Sequence, residues 1–166
     1  MLKGIDPVLT PEILHALSSM GHGDEVVIVD AHYPALAASK ETAYGQLLRM
    51  DAADTARAFQ AVLSVLETDH MFVTHPVERM QVDGKPDAMP AVQQEAQAAY
   101  EASIGAKKQM GTIKRQDFYG RARKAFCIII TGETRGWGCF ILKKGLIVTP
   151  DQPATQGNST IATYKI

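Results

Sequence analysis

Two histidines and three acidic residues bracket one apolar run near the start of the chain, Met20-Gly21-His22-Gly23-Asp24-Glu25-Val26-Val27-Ile28-Val29-Asp30-Ala31-His32. An imidazole with its unperturbed pKa of about 6.5 gives and takes a proton near neutral pH. The glycines on either side of His22 reach backbone conformations that a Cβ disfavours, so the ring is positioned by a turn rather than buried by default. A carboxylate at hydrogen-bond distance would fix its tautomer, and Asp24 and Asp30 are both candidates. Asp30 is equally suited to accept hydrogen bonds from ligand hydroxyls. The plainer reading is a surface-turn histidine and an aspartate that caps the turn after the strand. His32 completes an Asp-x-His segment that would be half of a metal site. No second cluster has ligand spacing, since His70 and His75 stand in another loop without a matching carboxylate. No metal is therefore expected, and His32 reads as a hydrogen-bonded loop residue.

Other candidates are weaker. The segment Ile113 to Phe126 is basic and carries aromatics, which would suit nucleic acid. The whole chain has a net charge of −1, so a helix with a solvated charged face is the better reading. Arg115, ahead of that helix, is a plausible donor to ligand hydroxyls. There is no GxGxxG or P-loop glycine pattern and no serine in a nucleophile elbow. Cys127 lies in an apolar strand and makes a poor nucleophile. Cys139, beside Trp137, is less clear-cut, although both cysteines read first as small core residues.

The elements that must position these residues alternate between helix and strand. Thr10-Pro11-Glu12 opens a helix, with Thr10 as N-cap and Pro11 at the first helical position. Ile13, Leu14, Leu17 and Met20 form its apolar face, and Gly21 follows as C′. Residues 25–29 form a strand buried on both faces, and residues 47–50 a second one. A helix is predicted over 51–67, with short extended pieces at 72–74 and 77–82. Asp83-Gly84 marks a turn. A helix over 90–104 closes at Gly105. Then come a strand at 112–115, a short helix over 116–124, and strands at 126–130 and 139–142, the last two joined through Gly136-Trp137-Gly138. This pattern implies a single α/β domain with a central, largely parallel or mixed sheet flanked by helices.

Composition agrees with that class. The chain has 166 residues, 46% of them hydrophobic and 21% charged, an ordinary globular mix. Net charge argues against nucleic acid and anionic membrane surfaces as partners. No run approaches the length of a membrane span, and Met1 to Pro7 lacks a signal peptide's apolar segment. A cytoplasmic protein is expected. The sequence divides into a domain over 1–150 and a polar extension over 151–166, rich in Pro, Gln, Gly and Thr. Its last residues, Ile161 to Ile166, could dock on a neighbour as a strand.

Read together, several segments resemble the L-fucose mutarotase / D-ribose pyranase family (RbsD/FucU). They are Leu2-Lys3, Pro11-Glu12, Met20 to Glu25, Asp30-Ala31-His32-Tyr33-Pro34, Phe118-Tyr119-x-Arg121-Ala122-x-Lys124-Ala125-Phe126, Thr131-Gly132-Glu133 and Leu142-Lys143-Lys144-Gly145. The match runs in order from residue 1 to about 150, and the FYxRAxKAF…TGE block points to the fucose mutarotase branch. The resemblance implies interconversion of the anomers or ring forms of a free monosaccharide, without cofactor or metal. It also implies a ring-shaped homo-oligomer such as a decamer, with active sites near subunit contacts. The family's catalytic histidine falls on His22, its substrate-binding aspartate on Asp30 and its substrate-binding arginine on Arg115. A Tyr-Gly-Asn triplet that contacts the sugar falls on Trp137-Gly138-Cys139. Trp137 keeps an aromatic face but loses the phenol hydroxyl, and Cys139 loses an amide. Asp24, His32 and Tyr119 are possible supporting residues, Tyr119 as a source of a hydroxyl. L-Fucose or a related aldose is the expected substrate. Two other readings compete: a non-catalytic monosaccharide-binding protein of the same fold, and a scaffold that uses the oligomer surface and the 151–166 extension.

Overall fold

The structure is a computed structural model and describes residues 2–148. The extension expected over 151–166, with its docking strand, lies outside the described residues. Eleven elements follow one another, beginning with helix α1 (Pro11–Ser19) and strand β1 (Glu25–Val29). Next come α2 (Ala35–Ser39), β2 (Leu47–Met50), α3 (Thr55–Leu63), β3 (Val77–Met80) and α4 (Ala91–Ile104). The last four are β4 (Gly111–Ile113), α5 (Arg115–Arg123), β5 (Cys127–Thr131) and β6 (Phe140–Lys143).

The strands form one six-stranded mixed sheet in the order β2-β5-β1-β6-β3-β4. β2, β5 and β1 run parallel. β6 is antiparallel to both β1 and β3, and β4 runs parallel to β3. Five strands therefore end at one edge of the sheet, which is also where β6 begins. Alternate residues of β1 face opposite layers. Val26 and Ile28 join the cluster under α1, α3 and α4, where Phe59 meets Phe140 edge-on at 4.8 Å. Val27 and Val29 join a second cluster under α2 and α5, built around Tyr33 and Phe118. A strand covered on both faces reads as a continuous apolar run, and Val26 to Val29 are all fully inaccessible. No helix among the described residues is long and apolar enough to cross a membrane.

Local chemistry explains the element ends and corrects three expectations. Thr10 caps α1 by accepting from the Ile13 N–H at 3.4 Å. Gly21 follows the cap Met20, which is extended, and the left-handed residue of this turn is Gly23, at φ +85°. The helix expected over 51–67 is shorter, because Asp54 caps α3 by accepting from the Arg57 N–H at 2.8 Å. A carboxylate in that role starts a helix, so residues 51–53 turn before it. Residues 72–74 form no strand. Helix α2 has too few residues to show periodicity.

Candidate functional site

The first cluster lies at the edge of the sheet where β1 starts. The His22 turn is closed by a Gly21 N–H to Asp24 Oδ2 bond of 2.7 Å and a Gly23 N–H to Lys144 carbonyl bond of 2.9 Å. Asp24 is thus spent on the turn. The carboxylate that meets the imidazole is Asp69, whose Oδ2 lies 3.2 Å from His22 Nε2. The His22 side chain is 35% exposed and that of Asp69 only 3%. Asp69 is held in turn by the Phe72 N–H on its Oδ1 at 3.1 Å, and its own N–H donates to the Lys143 carbonyl at 3.0 Å. Because an ionised carboxylate only accepts, His22 must carry its proton on Nε2 when neutral. Nδ1 then holds the lone pair, on a side chain that is about one-third exposed. The exposed Phe72 ring tilts against the imidazole at a centroid distance of 5.0 Å.

Neighbouring His70 is a structural group. Its Nε2 lies 2.7 Å from Thr68 Oγ1, its Nδ1 3.1 Å from Lys108 Nζ, and its ring stacks on Tyr100. Burial, and then the Lys108 ammonium, push its pKa below the usual histidine range. Helix α5 is anchored at the same end. Arg121 pairs with Glu25 and Glu78, and Lys143 adds a second cation on Glu25. Burial alone would raise the Glu25 pKa, but these hydrogen bonds outweigh it and hold it low. The basic segment is therefore partly a structural clamp rather than only a solvated face.

Asp30 stands at the other end of β1. Five residues at about 3.3 Å each set the two ends roughly 16 Å apart, so Asp30 does not orient His22. The residue is 3% exposed. Oδ1 accepts from the His32 N–H at 3.1 Å, and Oδ2 accepts from the Gly138 N–H at 3.0 Å and the Cys139 thiol at 3.4 Å. The topology thus brings Asp30 and Trp137-Gly138-Cys139 together at the edge where β6 begins. Burial, followed by the nearby Asp30 charge, drives the Cys139 pKa well above its ordinary value. Cys139 therefore acts as a neutral donor and not as a nucleophile. Cys127 is pushed by burial to about 12. His32 is satisfied by the Thr134 carbonyl at 2.8 Å, as a loop histidine would be.

The turn that carries Trp137 is tightly held. Trp137 has φ +72° and is the one non-glycine residue with positive φ among the described residues. For an L-residue that conformation costs about 1–2 kcal/mol. A Cβ on Gly138 would sit 3.0 Å from Thr55 Oγ1, 3.2 Å from Glu133 Cγ and 3.3 Å from Asp30 Cβ, so only glycine fits easily. On the other side of the turn, Glu133 accepts from the Arg135 N–H and Nε, both at 2.9 Å. Hydrogen bonds from the Arg135 side chain hold the Glu133 pKa down at about 2. Arg135 also bridges to Glu95.

Arg115 opens α5 at this same edge, but its Nε donates to Asp83 at 2.6 Å rather than to Asp30. Tyr119 stacks on Tyr33 at 5.0 Å. Sequence reading missed Asp69 and the buried pair Arg79 and Gln93, and it gave Glu133 no role beyond the Thr131-Gly132-Glu133 motif. Asp69 lies 47 positions from His22, and Arg79 lies 14 from Gln93, so only the fold brings those pairs together, whereas Glu133 finds Arg135 two residues on.

A family model described as the RbsD / FucU transport protein family matches residues 3–147. The chain belongs to the RbsD/FucU family. It is 36% identical to the L-fucose mutarotase of Actinobacillus pleuropneumoniae serotype 5b over 150 residues, covering 90% of this chain and 99% of that one. Its fold is similar to the fucose mutarotase of Streptococcus pneumoniae in complex with L-fucose, at 32% identity and a TM-score of 0.78, covering 89% of this chain and 100% of that one. It is also similar to the protein Atu2016, for which sugar binding has been suggested, at 45% identity and a TM-score of 0.87, covering 89% and 97% of the two chains. Membership of the family accounts for the GHGDE…DAHYP block read from the sequence.

Proposed function

We propose that this protein is a sugar mutarotase that interconverts the α and β anomers of a free monosaccharide, with L-fucose or a related aldose as substrate. The observation that carries this reading is the His22–Asp69 pair on a glycine turn. Binding alone requires no proton carrier, whereas ring opening does. In the proposed step, His22 Nδ1 takes the proton from the anomeric hydroxyl. The bond from C1 to the ring oxygen breaks, and its electron pair goes to that oxygen, which takes a proton from water. The open-chain aldehyde turns about C1–C2, and the reverse sequence closes the ring on the other face. Asp69 stabilises the imidazolium formed on the way. General acid–base catalysis of this kind is worth about 10²–10⁴-fold, a sensible amount for a reaction that already proceeds in water.

In this reading Asp30 and Arg115 hold sugar hydroxyls, and the Trp137 indole covers a C–H face. Gly138 and Cys139 shape the wall behind it. One sugar cannot reach both ends of β1 in one copy. The ring assembly implied by the resemblance resolves this, with the His22 end of one copy meeting the Asp30 end of another. Exposed Phe72, Leu146 and Ile147 support such a contact, since they follow the His22 edge of the sheet. Residues 1–150 are proposed as the mutarotase domain and 151–166 as its extension.

The alternative is a non-catalytic sugar-binding protein, favoured by one specific observation. The Cys139 thiol is buried and turned inward onto Asp30, so it presents no amide to a sugar hydroxyl. Saturation-transfer NMR on equilibrated L-fucose, D-ribose, D-galactose and L-rhamnose separates the two. Exchange with any of these sugars supports the enzyme. Binding without exchange in all of them supports the alternative.

A further inference from the structure

We propose that Gln93 and Arg79 are positioning residues for Trp137, a role that rests on the reading that Trp137 faces the sugar. Gln93 lies in the first turn of α4 and is fully inaccessible. Its Nε2 donates to the Met80 carbonyl at 2.8 Å and to the Trp137 carbonyl at 2.9 Å, and its Oε1 accepts from Arg79 at 3.0 Å. Arginine can only donate, so it dictates which end of the amide faces it. The amide nitrogen is thereby aimed at Trp137, and a flipped side chain would set oxygen against two carbonyls and nitrogen against a guanidinium.

Arg79 is itself 5% exposed. It donates to the carbonyls of Ala88 at 3.0 Å and Pro86 at 3.2 Å, and the nearby charge of Asp87 acts on it without a direct salt bridge among the described residues. A buried cation satisfied by carbonyls is a poor way to gain stability. It is a good way to fix geometry.

The peptide joining Trp137 to Gly138 is gripped on both sides. Gln93 holds its carbonyl, and Asp30 holds its N–H at 3.0 Å. Together they set the rotation of that peptide plane and hence the pitch of the indole. The Asp30 grip joins two residues that the resemblance assigns to the sugar site. The Gln93 grip comes from outside it, through a relay that starts in the loop at 86–88.

Trp137 is the sole tryptophan of the chain, so intrinsic fluorescence reports this turn directly. The test uses Gln93→Met, which keeps the volume and removes the donor, in the full-length protein. Losing a hydrogen bond of ordinary strength is expected to raise KM for L-fucose exchange by about 10-fold, with kcat changed by less than about 3-fold. Placed in a Trp137→Ala background, the same change is expected to leave KM where Trp137→Ala alone sets it. Without any sugar, Trp137 emission should move to the red, with acrylamide quenching raised by about 2-fold. Arg79→Met, which frees the amide to turn while leaving Gln93 in place, should shift emission and KM the same way by less. It covers the case in which Gln93→Met does not fold. Unchanged emission in both variants overturns the proposal, as does a KM effect of full size in the Trp137→Ala background. If the unsubstituted protein exchanges no sugar, the mutarotase reading fails, and the fluorescence shift alone decides whether Gln93 positions Trp137.

Discussion

A histidine serves as an acid–base group when one nitrogen is held and the other keeps its lone pair in reach of substrate. One nitrogen of His22 is held by Asp69, which lies 3.2 Å from Nε2 while being almost wholly buried, and the proposed role uses the other. An asparagine there would keep the shape but lose the charge that stabilises the imidazolium, and its amide would favour the wrong tautomer. Asp69→Asn is expected to lower kcat for anomer exchange by about 100-fold, with KM within about 2-fold, measured by saturation-transfer NMR across a sugar titration. Equal losses in both parameters would mean that Asp69 only supports the fold. His22 was legible in the sequence because its flanking glycines mark a turn. Its partner was not. Asp69 is 47 positions away and becomes a neighbour only because β6 carries its loop back to the start of β1. Asp24 and Asp30, the sequence-near candidates, are each committed elsewhere.

The turn from Gly132 to Cys139 carries the residues proposed to face the sugar, and two buried carboxylates hold it. Glu133 keeps a folded-state pKa of about 2 because Arg135 donates to it. A pKa depressed in this way stabilises the folded state fully above the ordinary carboxylate value and loses that stabilisation as pH falls from about 4.5 toward 2. Glu133→Gln is therefore expected to be less stable at pH 7 by about 1–3 kcal/mol, allowing for screening at the half-exposed Arg135. The gap should close on acidification, as read by urea denaturation at pH 7, 4 and 3. A gap undiminished at pH 3, where about 40% of the pH 7 difference should remain, would mean the loss is one of packing. Strands were the elements best read from sequence, since apolar runs such as Val26-Val27-Ile28-Val29 leave no other reading. The Trp137 turn was recognised from its glycines. Its strained backbone was not, because tryptophan gives no local sign of a positive φ. Helix α3 was overextended because apolar spacing cannot see the Asp54 cap.

At the scale of the whole molecule, one strand separates the proton carrier from the proposed sugar-binding edge by roughly 16 Å. The sheet order fixes that separation within any one copy, so the proposed catalysis needs two. His22→Ala and Asp30→Ala, each inactive alone, should then complement each other when co-expressed. In a randomly mixed ring about a quarter of the contacts would pair an intact His22 end with an intact Asp30 end, restoring about that share of the activity. No recovery in a properly mixed ring would place the whole site within one copy. The family was legible in the sequence through the GHGDE…DAHYP block, and so was the apolar strand between His22 and Asp30, but the gathering of Trp137-Gly138-Cys139 at the Asp30 end was not, because it depends on which way β6 runs. The most direct measurement is the exchange of α- and β-L-fucose by saturation transfer, with unsubstituted protein and His22→Ala compared at equal concentration and equal oligomeric state. Rapid transfer that vanishes in His22→Ala is the expected result. Equal transfer in both proteins would contradict the assignment of His22, and none in either would contradict the mutarotase reading for this sugar.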